Sequence, residues 1–368
     1  MATGFFWDER TFWHGGGNYA FTLPLGGLVQ PLAAGGLPES PETKRRMKNL
    51  MDVTGLTRDL DVRSADEASR EMLSRVHPVS YLDEFKSMSD AGGGELGQRT
   101  PFSTGGYELA ALSTGLTVEA VRTVMAGELE NAYALSRPPG HHCLPDFPNG
   151  FCLFANIAVA LEQARAVKPG LRAVVLDWDV HHGNGTEAIY YERSDTLAIS
   201  LHQHGNYPLD TGDVTDRGKG AGEGFNINAP LHAGAGHIAY LHAMEKIVAP
   251  AIRAFKPDLI VVACGFDASV PDPLSTMLAT AETFRELTTA AKALAKELCD
   301  GRLVLAHEGG YSEVYVPFCG HATLEALSGS KITAPDPLAV NFARRQPNER
   351  FNAFLISEID AMARELGF

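Results

Sequence analysis

Cysteine is scarce in this chain of 368 residues: five, Cys143, Cys152, Cys264, Cys299 and Cys319, odd in number and without CxxC spacing. That excludes a disulfide-built scaffold and a cysteine zinc knuckle, and it points to a reducing compartment. Long hydrophobic runs are also missing. The most apolar stretch, Leu259 to Phe266, falls far short of the roughly 20 residues that span a bilayer. The segment Met1-Ala2-Thr3-Gly4-Phe5 has no basic start followed by an apolar run, so no secretory leader is expected. Basic charge is in deficit: 31 Lys and Arg against 45 Asp and Glu give a net charge of −14. A general nucleic-acid binder is disfavoured, whereas cationic substrates would be attracted. The expectation is a cytoplasmic protein with no nucleic-acid and no membrane partner.

What is present is enough apolar material for a core, 45% of the chain, and a repeated alternation of segment types. Short β-branched runs (173–176, 196–200, 259–263 and 302–306) end abruptly at Gly, Asp or His. Longer helical stretches, such as Ile238 to Ala254 and Thr283 to Leu298, lie between them. This pattern predicts an α/β fold with a mostly parallel central sheet flanked by helices. Ser40-Pro41-Glu42 reads as a helix start running to about Gly55, and Phe351 to Leu366 as a final amphipathic helix. The glycine-rich stretch from Gln203 to Pro230 reads as a functional loop. No composition break divides the chain, so residues 1–368 are expected to form a single catalytic domain.

In open α/β sheets, ligands bind outside the carboxyl ends of the strands. Four strand ends here lead into chemistry-bearing runs: Arg137-Pro-Pro-Gly-His141-His142, Asp177-Trp-Asp179-Val-His181-His-Gly-Asn184, Cys264-Gly-Phe-Asp267-Ala and His307-Glu-Gly-Gly-Tyr311. Asp179 and His181 are two apart, so on extended chain they project to one face and can share an ion. Asp267 would complete a two-carboxylate, one-imidazole site with open positions, suited to zinc, with Fe2+ as an alternative. Tandem imidazoles beside such a site suggest a base and an acid. A phenol after two glycines suggests a donor to a developing oxyanion.

These four motifs, in this order over residues 40 to 330, resemble the zinc-dependent histone deacetylase family, and more closely the bacterial class II-like histone deacetylase-like amidohydrolases. The resemblance implies the arginase/deacetylase fold, with the metal at the C-terminal strand ends. It implies that Asp179, His181 and Asp267 are zinc ligands, that His141, His142 and Tyr311 are catalytic, and that Asp177 and Asn184 orient the two histidines. Gly150, Phe151, Tyr207 and Leu274 would line the substrate tunnel, Tyr207 standing where Phe is usual. A structural K+ would be held by Asp177, Asp179, His181, Ser200 and Leu201, partly through carbonyls. The implied reaction hydrolyses N-acyl amides of lysine-like amines to a short acid and a free amine, with a homo-oligomer, dimer or tetramer, as the assembly. The implied substrate partner is a small acylated amine or an acyl-lysine peptide.

Three rivals share features of this pattern. An acetylpolyamine amidohydrolase would accept a distal ammonium, which the uncharged Leu274 does not help to hold. A catalytically weak acyl-lysine-binding module would lack the tyrosine that Tyr311 supplies. A two-metal ureohydrolase would need further carboxylate and histidine ligands. Glu95, in a glycine-rich loop, is a candidate substrate clamp, with plain solvation as the alternative. His202 and His204 read as structural, and His307 as a neighbour of the site.

Overall fold

Consecutive apolar residues in a strand must be covered on both sides. The computed structural model, which describes residues 2–17, 19–29 and 36–368, builds them into the middle of a parallel sheet. Eight strands form it. They are β1 Thr3–Phe6, β2 Leu60–Arg63, β3 Asn131–Ala134, β4 Ala173–Asp177, β5 Thr196–Gln203, β6 Asn226–Leu231, β7 Leu259–Cys264 and β8 Leu303–His307. The order across the sheet is β6-β5-β4-β7-β8-β3-β1-β2, and each pairing is parallel.

Side chains alternate between the two faces with period two. Val174 and Leu176 of β4, Ile260 and Val262 of β7, and Leu303 and Leu305 of β8 enter one core. The helices Pro41–Thr54, Ala281–Leu298 and Val316–Ser328 cover that core. Ala173 and Val175, Leu259 and Val261, and Val304 and Ala306 enter a second core on the other face. There the helices Gly106–Met125 and Asn156–Val167 pack. β4 is followed in the chain by its neighbour β5 on one side, while β7 lies on its other side. The gap between β4 and β7 is thus the topological switch point, where a crevice opens at the strand ends.

The expected helix at Ser40 is present: the Ser40 hydroxyl accepts from Glu42 N at 3.1 Å, Pro41 opens the first turn, and Gly55 ends it in the left-handed region. The final helix starts two residues before its expected boundary, at Glu349, because Asn348 caps it by accepting from Phe351 N. The helical stretch after Gly236 is α-helical over His237–Ala243 and Ala249–Phe255 but widens to a π turn over Met244–Val248. Pro250 has no amide to continue the regular ladder, which accounts for the break.

The glycine-rich stretch is shorter than expected as a loop, because its last part is strand β6. Asn226, Asn228 and Pro230 concealed it. Asn226 and Asn228 donate to Glu187 Oε2 at 2.6 and 2.8 Å, so a strand of polar alternation is nonetheless buried. β1 and β2, four residues each, carried no readable strand signal either. Among the described residues, no helix is long and apolar enough to cross a membrane.

Leu176 is 0% exposed in β4. Leu176→Ala is expected to lower the unfolding free energy by about 2–5 kcal/mol, the usual cost of a cavity in a two-sided core. Chemical denaturation checks this, and a loss within experimental error would contradict the burial.

Candidate active site

Asp177 is the last residue of β4, and the chain beyond it stays extended enough to present every second side chain to one side. Asp177 Oδ1 accepts from Asp179 N at 3.0 Å, and Asp179 Oδ1 accepts from His181 N at 2.9 Å. Asp267, just past β7, closes the crevice by accepting from Val180 N at 2.8 Å through Oδ1. Its other oxygen, Oδ2, lies 3.0 Å from His181 Nδ1 yet accepts no hydrogen bond. His181 Nδ1 is also 3.1 Å from Asp179 Oδ1. The ligand atoms of Asp179, His181 and Asp267 all lie within 4.8 Å of one another, and all three residues are buried.

The electrostatics of this trio fit a cation. Burial, reinforced by the Asp179 carboxylate, pushes Asp267 up to about 6. Burial disfavours a charge on His181, yet Asp179 and Asp267 raise it to about 10. Two desolvated acids facing one imidazole, with one oxygen left without a donor, form a donor set for a divalent ion. The backbone makes room for it. A Cβ on Gly309 would sit 2.2 Å from Asp267 Oδ2 and 2.7 Å from Asp179 Oδ2, and one on Gly265 would sit 2.1 Å from Asp179 Oδ2. Glycine at both positions is a requirement of close approach.

The tandem histidines face different partners. His141 Nδ1 is 2.8 Å from Asp177 Oδ2, whereas His142 Nδ1 donates to the side-chain amide oxygen Oδ1 of Asn184 at 2.7 Å. Burial works against a proton on His141, but Asp179 and Asp177 outweigh it and hold its pKa well above the ordinary value. Burial, with His141 and His181 nearby, pushes His142 well below. The rings are 4.0 Å apart and yet are driven to opposite protonation states.

A cavity of about 430 Å3 reaches this centre, with His142, His181 and Tyr311 among its lining residues. Gly150, Phe151, Tyr207 and Leu274 all line it. The Phe151 ring meets Tyr311 edge-on at 5.8 Å, and the Tyr207 ring meets His142 edge-on at 5.1 Å. The Tyr207 hydroxyl turns away to donate to Asn149 Oδ1. Of the positions expected to bind K+, Ser200 pairs in register with Asp177 across β4 and β5, and Leu201 follows it in β5.

Other expectations fall elsewhere. Glu95 accepts from the Tyr19 hydroxyl and from Thr100 N at 3.3 Å, and it is absent from the cavity lining. His202 bridges the Ser200 hydroxyl and Gly212 O, both at 2.9 Å, a structural use. His307 bonds the Tyr133 hydroxyl at 2.7 Å behind the site. All five cysteines are free and buried. Two residues with no role assigned from the sequence prove central to its geometry. Glu308 Oε2 accepts from Gly140 N at 2.7 Å and His141 N at 3.1 Å, anchoring the histidine loop. Asp272 accepts from Tyr311 N at 2.8 Å and Leu274 N at 2.9 Å, tying the phenol to a wall of the cavity. The only signal for either was an acidic residue within three positions of Tyr311 or Leu274 in sequence.

Residues 37–327 match the family model described as histone deacetylase domain. The chain is 55% identical over 365 residues to a histone deacetylase-like amidohydrolase of Pseudomonas aeruginosa, covering 99% of this chain and 96% of that one. It is 35% identical to a probable deacetylase of Archaeoglobus fulgidus, over 81% of this chain and 84% of the other. Its fold matches the crystal structure of the HDA15 HD domain with a TM-score of 0.81 at 28% identity, covering 99% and 98% of the two chains. The expected arginase/deacetylase architecture is therefore the one observed.

The Gly309 geometry makes a direct prediction. Gly309→Ala is expected to weaken binding of one equivalent of divalent metal at least about 10-fold, the scale on which perturbed metal surroundings act. The same Cβ crowds two buried carboxylates whether or not metal is bound, so the metal-free variant is expected to lose about 1–3 kcal/mol of stability as well. Metal analysis after dialysis checks this, and full retention of metal would contradict the assigned pocket.

Proposed function

Because the chain belongs to the histone deacetylase family, whose members hydrolyse amides, we propose that it is a zinc-dependent deacylase of N-acyl amides of lysine-like amines. The observation that carries this reading is the cluster of Asp179, His181 and Asp267, in which Asp267 Oδ2 accepts no hydrogen bond, beside the cavity that His142, His181 and Tyr311 line. A divalent ion held by Asp179, His181 and Asp267, zinc by its donor set and Fe2+ as the alternative, would polarise the amide carbonyl and acidify a water.

The protein groups then have separable tasks. His142, kept neutral and hydrogen-bonded through Nδ1 to Asn184, has Nε2 free to take a proton from the attacking water. Tyr311, its backbone fixed by Asp272, donates its hydroxyl to the oxyanion that develops on the substrate carbonyl. A protonated histidine of the pair returns a proton to the leaving amine, and Asp177 keeps His141 oriented and charged. Phe151 and Tyr207 enclose the alkyl chain and exclude water. Asp177, Asp179, His181, Ser200 and Leu201 would hold a structural K+, partly by carbonyls. In this reading residues 1–368 act as one catalytic domain in a cytoplasmic homo-oligomer.

Leu274 at the cavity wall offers no charge to a distal ammonium, which favours acyl-lysine over acetylpolyamine as substrate. The catalytically weak acyl-lysine binder is disfavoured by Tyr311, which lines the cavity. Tyr311→Phe and His142→Ala are each expected to lower kcat by about 10²–10⁴ while metal content stays at the parent value. Steady-state kinetics on an acetyl-lysine peptide, beside metal analysis, checks this. Near-parent turnover in either variant would refute the assigned roles, and binding without turnover by the metal-loaded parent would transfer the reading to the binder.

A further inference from the structure

Away from the candidate metal ligands and histidines, the described residues lining the cavity carry one permanent charge, Arg99. Its guanidinium carbon lies 4.9 Å from the centroid of the Tyr207 ring, and that ring stands edge-on to His142 at 5.1 Å. The cation is therefore one aromatic ring away from the reaction centre, on the wall a bound chain must pass. Its position is set by the main chain. Gly150 N donates to Gln98 O at 3.0 Å and Phe151 N donates to Arg99 O at 3.1 Å, which joins the Arg99 segment to the one supplying the Phe151 wall.

Among the described residues no carboxylate forms an ion pair with Arg99. Glu95, four positions earlier, is engaged by the Tyr19 hydroxyl and Thr100 N. The guanidinium face rests on Tyr207, as cations do on aromatic rings, and its planar fork of N–H donors retains capacity for an oxyanion. Leu274, elsewhere on the lining, contributes no opposing charge. The net charge of −14 would draw cations toward the protein as a whole. At short range, in a partly desolvated cavity, the nearby cation decides which charged chain end is accepted.

We propose that Arg99 is a specificity-determining residue that selects linear acylated amines carrying a carboxylate at the end remote from the amide and rejects those carrying an ammonium there. The inference rests on the amidohydrolase reading above and names its substrate class. The carboxylate has two sources in an acyl-lysine substrate: a free α-carboxylate at a chain terminus, or an acidic neighbouring side chain. Acylpolyamines, with ammonium groups in that position, belong to the rejected class.

The test uses three acetamides of matched length on the metal-loaded enzyme: 6-acetamidohexanoate, N-hexylacetamide and N-acetyl-1,6-diaminohexane. The expected order of kcat/KM is carboxylate, neutral, ammonium, with the differences mainly in KM. Arg99→Glu should invert the carboxylate-to-ammonium ratio by about 100-fold, roughly tenfold for each charged substrate, while Arg99→Lys retains the parent order. Acetyl-lysine peptides with and without a C-terminal amide, and with Asp or Asn beside the lysine, separate the two carboxylate sources. An unchanged ratio in Arg99→Glu, with the neutral amide still hydrolysed, would overturn the inference and leave the amidohydrolase reading standing. Failure of the parent enzyme on all three acetamides and on the peptides would overturn both.

Discussion

Three carboxylates, Asp177, Asp179 and Asp267, are held out of water at the carboxyl ends of β4 and β7, and the surrounding backbone is arranged to keep them there. Each uses oxygen lone pairs on main-chain N–H groups: Asp177 on Asp179, Asp179 on His181 and Gly309, and Asp267 on Val180. Such bonds stabilise an ionised acid in surroundings that would otherwise neutralise it. They leave Asp267 Oδ2 unsatisfied, and an unsatisfied buried carboxylate oxygen is costly unless a cation completes it. The same crowding of carboxylates explains the demand for glycine at positions 265 and 309, where a Cβ would overlap the acid oxygens.

That field also sets the chemistry of its neighbours. His141 lies close enough to Asp177 and Asp179 to be held protonated, with 2.8 Å to the first and 3.7 Å to the second. His142 contacts an amide where its neighbour contacts an acid, and the charge on His141 further discourages a second proton. Adjacent residues of one type thus differ in charge: Asp179 and Asp177 outweigh burial at His141, whereas burial and the neighbouring imidazoles prevail at His142. In the proposed reaction this pair would supply a base and an acid from the same crevice.

Further from the centre, a second set of buried charges braces the loop that carries the histidines. Arg137 donates to Thr11 O, His14 O and Glu39 O at 3.1, 2.7 and 3.2 Å, and from Nε to Glu39 Oε1 at 3.1 Å. Lys44 Nζ, fully buried, donates to the same Glu39 oxygen at 2.9 Å. Burial would raise the Glu39 carboxyl, but Arg137 and Lys44 outweigh it and hold it well below the usual range. Removing one member of such a set would leave uncompensated charge in the interior, so these residues are part of the scaffold that holds the histidine loop. Glu308, just past β8, performs the corresponding service by binding the amides of Gly140 and His141.

Much of this was legible in the amino-acid order because it is written in short runs. The apolar strand cores, the capped helix at Ser40, the two-residue spacing of Asp179 and His181, and the pairing of His141 with His142 are local patterns, and local geometry follows from them. Strands β1, β2 and β6 escaped notice because four residues, or a polar alternation of Asn226, Asn228 and Pro230, give no periodic signal. The positions of Glu308 under Gly140, of Asp272 against Tyr311 and of Arg99 against Tyr207 were decided by tertiary structure alone. Glu308 and Gly140 are 168 positions apart in the chain. Only the order in which parallel strands lie side by side brings such residues within a hydrogen bond, and that order comes from burying both faces of the sheet at once. The sequence by itself therefore determined which groups could do the chemistry; the sheet decided where each one stands, what charge it carries and what it can reach.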